Sequence, residues 1–134
     1  MRKLVIVADN VEPVREAIKQ ALEADLGAGA LAREVEVALA ASGDAVLALC
    51  RKARPDLILM DVDMPDRDGV ETFYALKALD ASLASRVVFL TGYAGSESVQ
   101  GRLEQAVADG AGGVIGKPAS AAQLHKALER FFAG

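Results

Sequence analysis

Five short apolar runs, each too short for a helix and each followed by polar or turn residues, limit what this chain can fold into. They are Leu4–Ala8, a run from Glu34 to Leu39 that opens with alternation, Leu57–Met60, Val87–Leu90 after Arg86, and Gly113–Gly116. Between and after them, apolar residues recur at helical spacing: Val14, Ala17, Ile18 and Leu22; Val46, Leu49 and Cys50; Phe73, Leu76 and Leu79; Leu103, Ala106 and Val107; Leu124, Leu128 and Phe131. Strands that alternate with helices fold, through right-handed crossovers, into a parallel sheet covered on both faces. The expected class is therefore α/β, a doubly wound sandwich around five parallel strands. The alternation after Glu34 predicts that the second strand lies near an edge.

Local signals mark the helix ends. Pro13 stands in the first turn of the first helix, where its missing N–H costs nothing. Ser42-Gly43-Asp44 opens the second helix, the third begins near Val70, and Ser120 with Gln123 reads as a capping box for the last. The Gly27–Ala30 stretch ends the first helix in a connection of small residues.

The stretch from Pro55 to Gly69 carries the first hint of chemistry. Its buried strand delivers Asp61 and then Asp63 to the strand's C-terminal end, which in an open parallel sheet is where ligands bind. Met64-Pro65 and Asp68-Gly69 then turn the chain into the next helix. Taken alone, this also reads as a solvated strand end with turn-forming acids. Likewise Asp9 or Asn10, after the first strand, reads on local grounds equally as a helix N-cap. The other strand ends change the balance, because Thr91 follows the fourth strand and Lys117 the fifth, so all these groups share one edge of the sheet. Repelling carboxylates, a hydroxyl and an ammonium make a site for a divalent cation and an oxyanion. Hard oxygen donors left partly to water suit Mg²⁺.

Composition excludes several classes. A formal charge of −4 without a basic, aromatic-interleaved cluster argues against nucleic-acid binding. No apolar run approaches the ~20 residues of a membrane span. The Met1-Arg2-Lys3 start meets an acid too early for a signal peptide, so a cytoplasmic protein is expected. The lone Cys50 forms no internal disulfide and reads as a packed thiol. His125, the only histidine, reads as a surface or boundary residue beside Leu124, and no His/Cys cluster suggests zinc.

The set Met60-Asp61-x-x-Met64-Pro65-x-x-Asp68-Gly69, with Asp9-Asn10, Thr91 and Lys117-Pro118, resembles the receiver domain of two-component response regulators. The likeness runs from Leu4 to the final helix and implies one receiver domain over residues 1–134. It implies a flavodoxin-like (βα)5 fold with strand order 2-1-3-4-5. Asp61 is implied as the phosphoacceptor, with a histidine kinase or a histidine phosphotransfer protein as donor. Asp9, Asn10, Asp61 and Asp63, the last through its backbone carbonyl, are implied around Mg²⁺. Thr91 and Lys117 would hold the phosphoryl oxygens, and the Lys117–Pro118 peptide would be cis. Asp63 and Tyr93 match positions that influence attack by water. The output would be a downstream protein bound through the face of the fourth helix, fifth strand and fifth helix, with self-association left open. Such a domain is not an enzyme beyond self-phosphorylation from a donor and slow autodephosphorylation.

Three departures stand out. Asn10 replaces a usual acid, Val114 a usual Tyr or Phe, and Ala119 a common Phe. The first two favour, as an alternative, a receiver-fold interaction module that works without phosphorylation. Asp61-Val62-Asp63 also resembles the nucleophile motif of haloacid-dehalogenase-type phosphatases, but nothing after Lys117 supplies their later acidic pair. The chain would then be a stand-alone regulator or a receiver from a longer protein.

Overall fold

A computed structural model describes residues 3–23, 35–92 and 97–132. Strands β1 (Lys3–Ala8), β2 (Val35–Ala40), β3 (Leu57–Asp61), β4 (Val87–Thr91) and β5 (Gly113–Gly116) form one parallel sheet in the order β2-β1-β3-β4-β5. Helices α1 (Glu12–Glu23), α2 (Gly43–Lys52), α3 (Gly69–Leu79), α4 (Glu97–Ala108) and α5 (Ala121–Phe132) cover it. The expected flavodoxin-like α/β architecture is therefore present, with β2 at an edge. A 3₁₀ segment, Ala81–Arg86, had no signal in the apolar spacing.

Successive strand residues serve opposite faces. Ile6, Ala8, Ile58, Met60, Val87 and Phe89 pack with Val46, Phe73, Leu76 and Leu103 of α2, α3 and α4. Val5, Val7, Leu57, Leu59, Val88 and Leu90 pack with Ile18, Leu22, Leu124 and Leu128 of α1 and α5. Strands buried on both faces read as unbroken apolar runs, which is why their alternation is invisible in the sequence. Phe73 and Phe89 meet edge to face at 5.7 Å between ring centroids, the main aromatic contact of an otherwise aliphatic core. Leu79 and Val107, assigned by spacing to apolar helix faces, instead lie exposed.

Caps fix the helix starts. Ser42 accepts from the Ala45 amide at 3.1 Å, and Ser120 and Gln123 form the expected reciprocal box. Asp68 and Glu71 form another at the start of α3. For α1, Val11 rather than Asp9 or Asn10 supplies the carbonyl that takes the first helical bonds, from Val14 and Arg15. His125 is a correction: it is buried, with Nε2 3.2 Å from the Ala21 carbonyl oxygen, and so ties α5 to α1. Cys50 packs partly buried against the core, and burial pushes its thiol up to about 11, away from reactivity.

Gly69 shows why Asp-Gly ends the β3–α3 turn. Its amide donates to the Val62 carbonyl at 2.8 Å. A Cβ there would stand 2.3 Å from the Asp61 carbonyl oxygen. Gly69→Ala is thus expected to cost about 1–3 kcal/mol by displacing backbone at the sheet's working end. Thermal unfolding checks it, and an unchanged Tm would contradict the close approach.

Candidate functional site

The C-terminal ends of β1, β3 and β5 bring three charged side chains into contact. Lys117, just past β5, places Nζ 2.7 Å from Asp9 Oδ2 and 3.1 Å from Asp61 Oδ1. Asp9 is fully buried and Asp61 nearly so. The strands dictate this meeting, because β1 and β4 flank β3 and β5 lies beside β4, while the Lys117 amide donates to the Thr91 carbonyl at 2.8 Å. The Lys117–Pro118 peptide is cis.

Two carboxylates share one ammonium, so the cluster keeps a formal excess of one negative charge. Burial raises the Asp61 carboxyl above its ordinary 3.8, and the charge of Asp9 raises it further. Lys117 and the Asp63 amide, 3.3 Å from Asp61 Oδ1, draw it back without cancelling the rise. Burial by itself would lower Lys117, but its contacts with Asp9 and Asp61 hold it above 10.5. The Asp9 contact is an ion pair by distance, yet Oδ2 takes no hydrogen bond of acceptable angle. That oxygen is therefore buried, charged and still able to accept a directed bond or a cation. Asp9 Oδ1 is occupied by the Val11 amide at 2.9 Å, and Arg15 donates to the Asp9 carbonyl oxygen at 2.7 Å.

The remaining expected residues stand around this trio. Asn10 is exposed at the rim after β1, Asp63 is exposed beyond β3, and Thr91 is buried at the end of β4, in register with Gly116. Val114 lies on β5 and is 43 % exposed. Tyr93 and the Gly27–Arg33 connection lie outside the described residues.

Several supporting residues gave no signal in the sequence reading. Asp66 adopts φ 63°, a left-handed conformation that Asp tolerates. Its carboxylate accepts from the amides of Gly43 at 3.3 Å and Asp44 at 3.1 Å, clamping the β3–α3 loop to the N-terminus of α2. Arg102 on α4 meets Asp68 at 2.7 Å, and Tyr74 and Lys77 on α3 both donate to Asp109, to its carboxylate and its carbonyl oxygen respectively. Pairings such as Asp66 with Gly43 or Asp68 with Arg102 carry no sequence period at such separations, so only the fold reveals them.

Among the described residues, no group of at least three His, Cys, Asp or Glu side chains is placed to hold a metal ion. No helix of the described residues is long and apolar enough to cross a membrane.

Comparison with known proteins agrees with this geometry. Residues 5–129 match the family model described as response regulator receiver domain. The chain is 30% identical to the chemotaxis protein CheY of Halobacterium salinarum over 118 residues, covering 88% of this chain and 87% of that one. It is 32% identical to a protein-glutamate methylesterase/protein-glutamine glutaminase of Anaeromyxobacter dehalogenans over 121 residues, but spans only 31% of that relative's length. Among solved structures, the chemotaxis protein CheY4 of Vibrio cholerae superposes with a TM-score of 0.78 at 29% identity, over 98% of this chain and all of that one. These matches set the haloacid-dehalogenase likeness aside, and the chain belongs to the response regulator receiver domain family, a domain that signals through phosphorylation and is not itself classed as an enzyme.

Proposed function

We propose that Asp61 is the phosphoacceptor of this receiver, within a single domain spanning residues 1–134, and that a partner's phosphohistidine is the donor. One observation carries the reading: the Lys117 ammonium stands within ion-pair distance of both buried carboxylates at the strand ends. In the transfer, an Asp61 oxygen attacks phosphorus, the P–N bond to imidazole breaks, and the imidazole nitrogen keeps the electron pair. Such a transition state asks the protein mainly for alignment and for positive charge near the phosphoryl oxygens. Lys117 supplies that charge and is already held by Asp9, so little reorganisation accompanies transfer. The Thr91 hydroxyl is assigned to a phosphoryl oxygen.

Magnesium dependence is typical of this family. The donor set fits a hard cation: the excess negative charge and Asp9 Oδ2, ion-paired but without a hydrogen bond, both favour one. Asp9, Asp61, the Asp63 carbonyl and Asn10 would hold it, with water or phosphoryl oxygens completing the shell. When bound, the cation offsets charge on the phosphoryl oxygens. Asn10 supplies no charge to this set. Asn10→Asp is therefore expected to tighten Mg²⁺ binding on the order of tenfold, since one added charge acts at close range. A titration in which the variant binds no tighter removes Asn10 from the set.

Signalling would pass through Thr91 to the α4-β5-α5 face, because Thr91 lines the groove between α4 and β5. Incubation with acetyl phosphate and Mg²⁺ followed by intact-mass analysis tests the reading. One added phosphoryl group, dependent on Mg²⁺, is expected; an unchanged mass would favour the interaction module that needs no phosphorylation.

A further inference from the structure

The outer edge of the sheet at β5 is open, and it has a groove on each side. On the α4 side a cavity of about 460 Å³ is lined by Leu103, Val107 and Val114, with Gln100, Glu104 and Thr91 also on its wall. On the α5 side a second, of about 290 Å³, is bordered by Lys126, Arg130 and Phe131. Val114 lines both, and β5 itself is only Gly-Val-Ile-Gly. A Cβ at Gly116 would meet nothing within 4 Å among the described residues, so that face of the strand end is open. Lys126 and Arg130 are exposed and have no carboxylate partner among the described residues; Arg130 rests over the Phe131 ring at 5.2 Å.

An edge strand offers unpaired amides and carbonyls to a further strand. β5 is short, which by itself blunts an edge, but it has no Pro, no charged residue and no bulge within Gly113–Gly116. A strand added there sends alternate side chains to the two faces of the sheet. Here those faces differ: one groove is mostly apolar, the other is rimmed by two cations without a carboxylate partner among the described residues. We infer that β5 takes an extended segment of a partner protein as a sixth strand, its apolar side chains entering the α4 groove and its acidic side chains meeting Lys126 and Arg130. Strand addition gives affinity through the main chain and selectivity through alternate pockets. Charge complementarity decides the occupant's chemistry, since a basic or neutral segment leaves both cations unanswered. The inference rests on the reading of α4-β5-α5 as the output face and specifies what that face recognises. Thr91 on the wall of the mostly apolar groove would let the bound segment register the state of the site.

The test is anisotropy titration of fluorescein-labelled acetyl-Leu-Asp-Leu-Asp-Leu-amide against the full chain, before and after acetyl phosphate treatment, with phosphoryl uptake read by mass on the same samples. Saturable binding is expected, weakened about tenfold by Lys126→Glu with Arg130→Glu, both on an exposed helix face, and by a peptide carrying Lys for Asp. Of two peptides N-methylated at Leu or at Asp, one should lose binding and the other keep it, because a strand pairs through one edge. No binding, or equal loss from both methylated peptides, overturns the inference, as does binding unaffected by the charge reversals. Self-association that Lys126→Glu abolishes would instead assign the edge to a second copy and also overturn it. Uptake without peptide binding sinks this inference alone, whereas peptide binding without uptake sinks the phosphoacceptor reading alone.

Discussion

Lys117→Met is expected to cost the fold on the order of 3 kcal/mol at pH 7, because it leaves two buried carboxylates facing each other without their shared cation. The loss should depend on pH in a defined way. Asp61 already sits above 3.8 in the folded protein, and removing Lys117 removes an influence that lowers it. A carboxyl raised on folding binds protons more tightly in the native state, so stability falls as pH climbs from about 3.8 through the folded value. The deficit of Lys117→Met against the parent should therefore be smallest below that window and largest above it. In the parent, the contribution of Lys117 is fully present below 10.5 and lost as pH rises through its higher folded value. Urea unfolding of both proteins at pH 4, 7 and 11 measures this. A deficit that does not vary between pH 4 and pH 7 would mean that Lys117 acts by packing, not by charge.

Asp61→Asn is expected to separate stability from function. The variant loses one of two repelling carboxylates and keeps the Lys117–Asp9 pair, so its Tm at pH 7 should equal or exceed that of the parent. Phosphoryl uptake from acetyl phosphate should disappear, because an amide oxygen is too weak a nucleophile to take its place. A Tm well below the parent's would show that Asp61 is mainly a structural partner of Lys117. Uptake at the parental rate would move the acceptor elsewhere.

Much of this was legible before the fold. The β1, β3 and β4 runs are apolar because helices cover both faces, so their ends, and Asp9, Asp61 and Thr91 with them, can be located by composition alone. Lys117 follows from the short Gly-Val-Ile-Gly run and the Pro after it. Where spacing failed, long-range geometry decided. His125 flanks an apolar stripe and so suggests a surface position, yet α1 closes over it from more than 100 residues away in sequence. Asp66 looks like any turn acid until its left-handed backbone aims the carboxylate at the amides opening α2. The Arg102–Asp68 pair joins segments 34 positions apart, a separation that no helical or strand period encodes.

Borohydride reduction of the chain after acetyl phosphate and Mg²⁺ treatment, followed by peptide mapping, tests the acyl phosphate most directly, since the reagent converts a phosphorylated Asp into homoserine. The account predicts homoserine at position 61 and at no other acid, only in samples that received both reagents. Homoserine at Asp9 or Asp63 instead, or none in a sample whose mass shows a phosphoryl group, would contradict it.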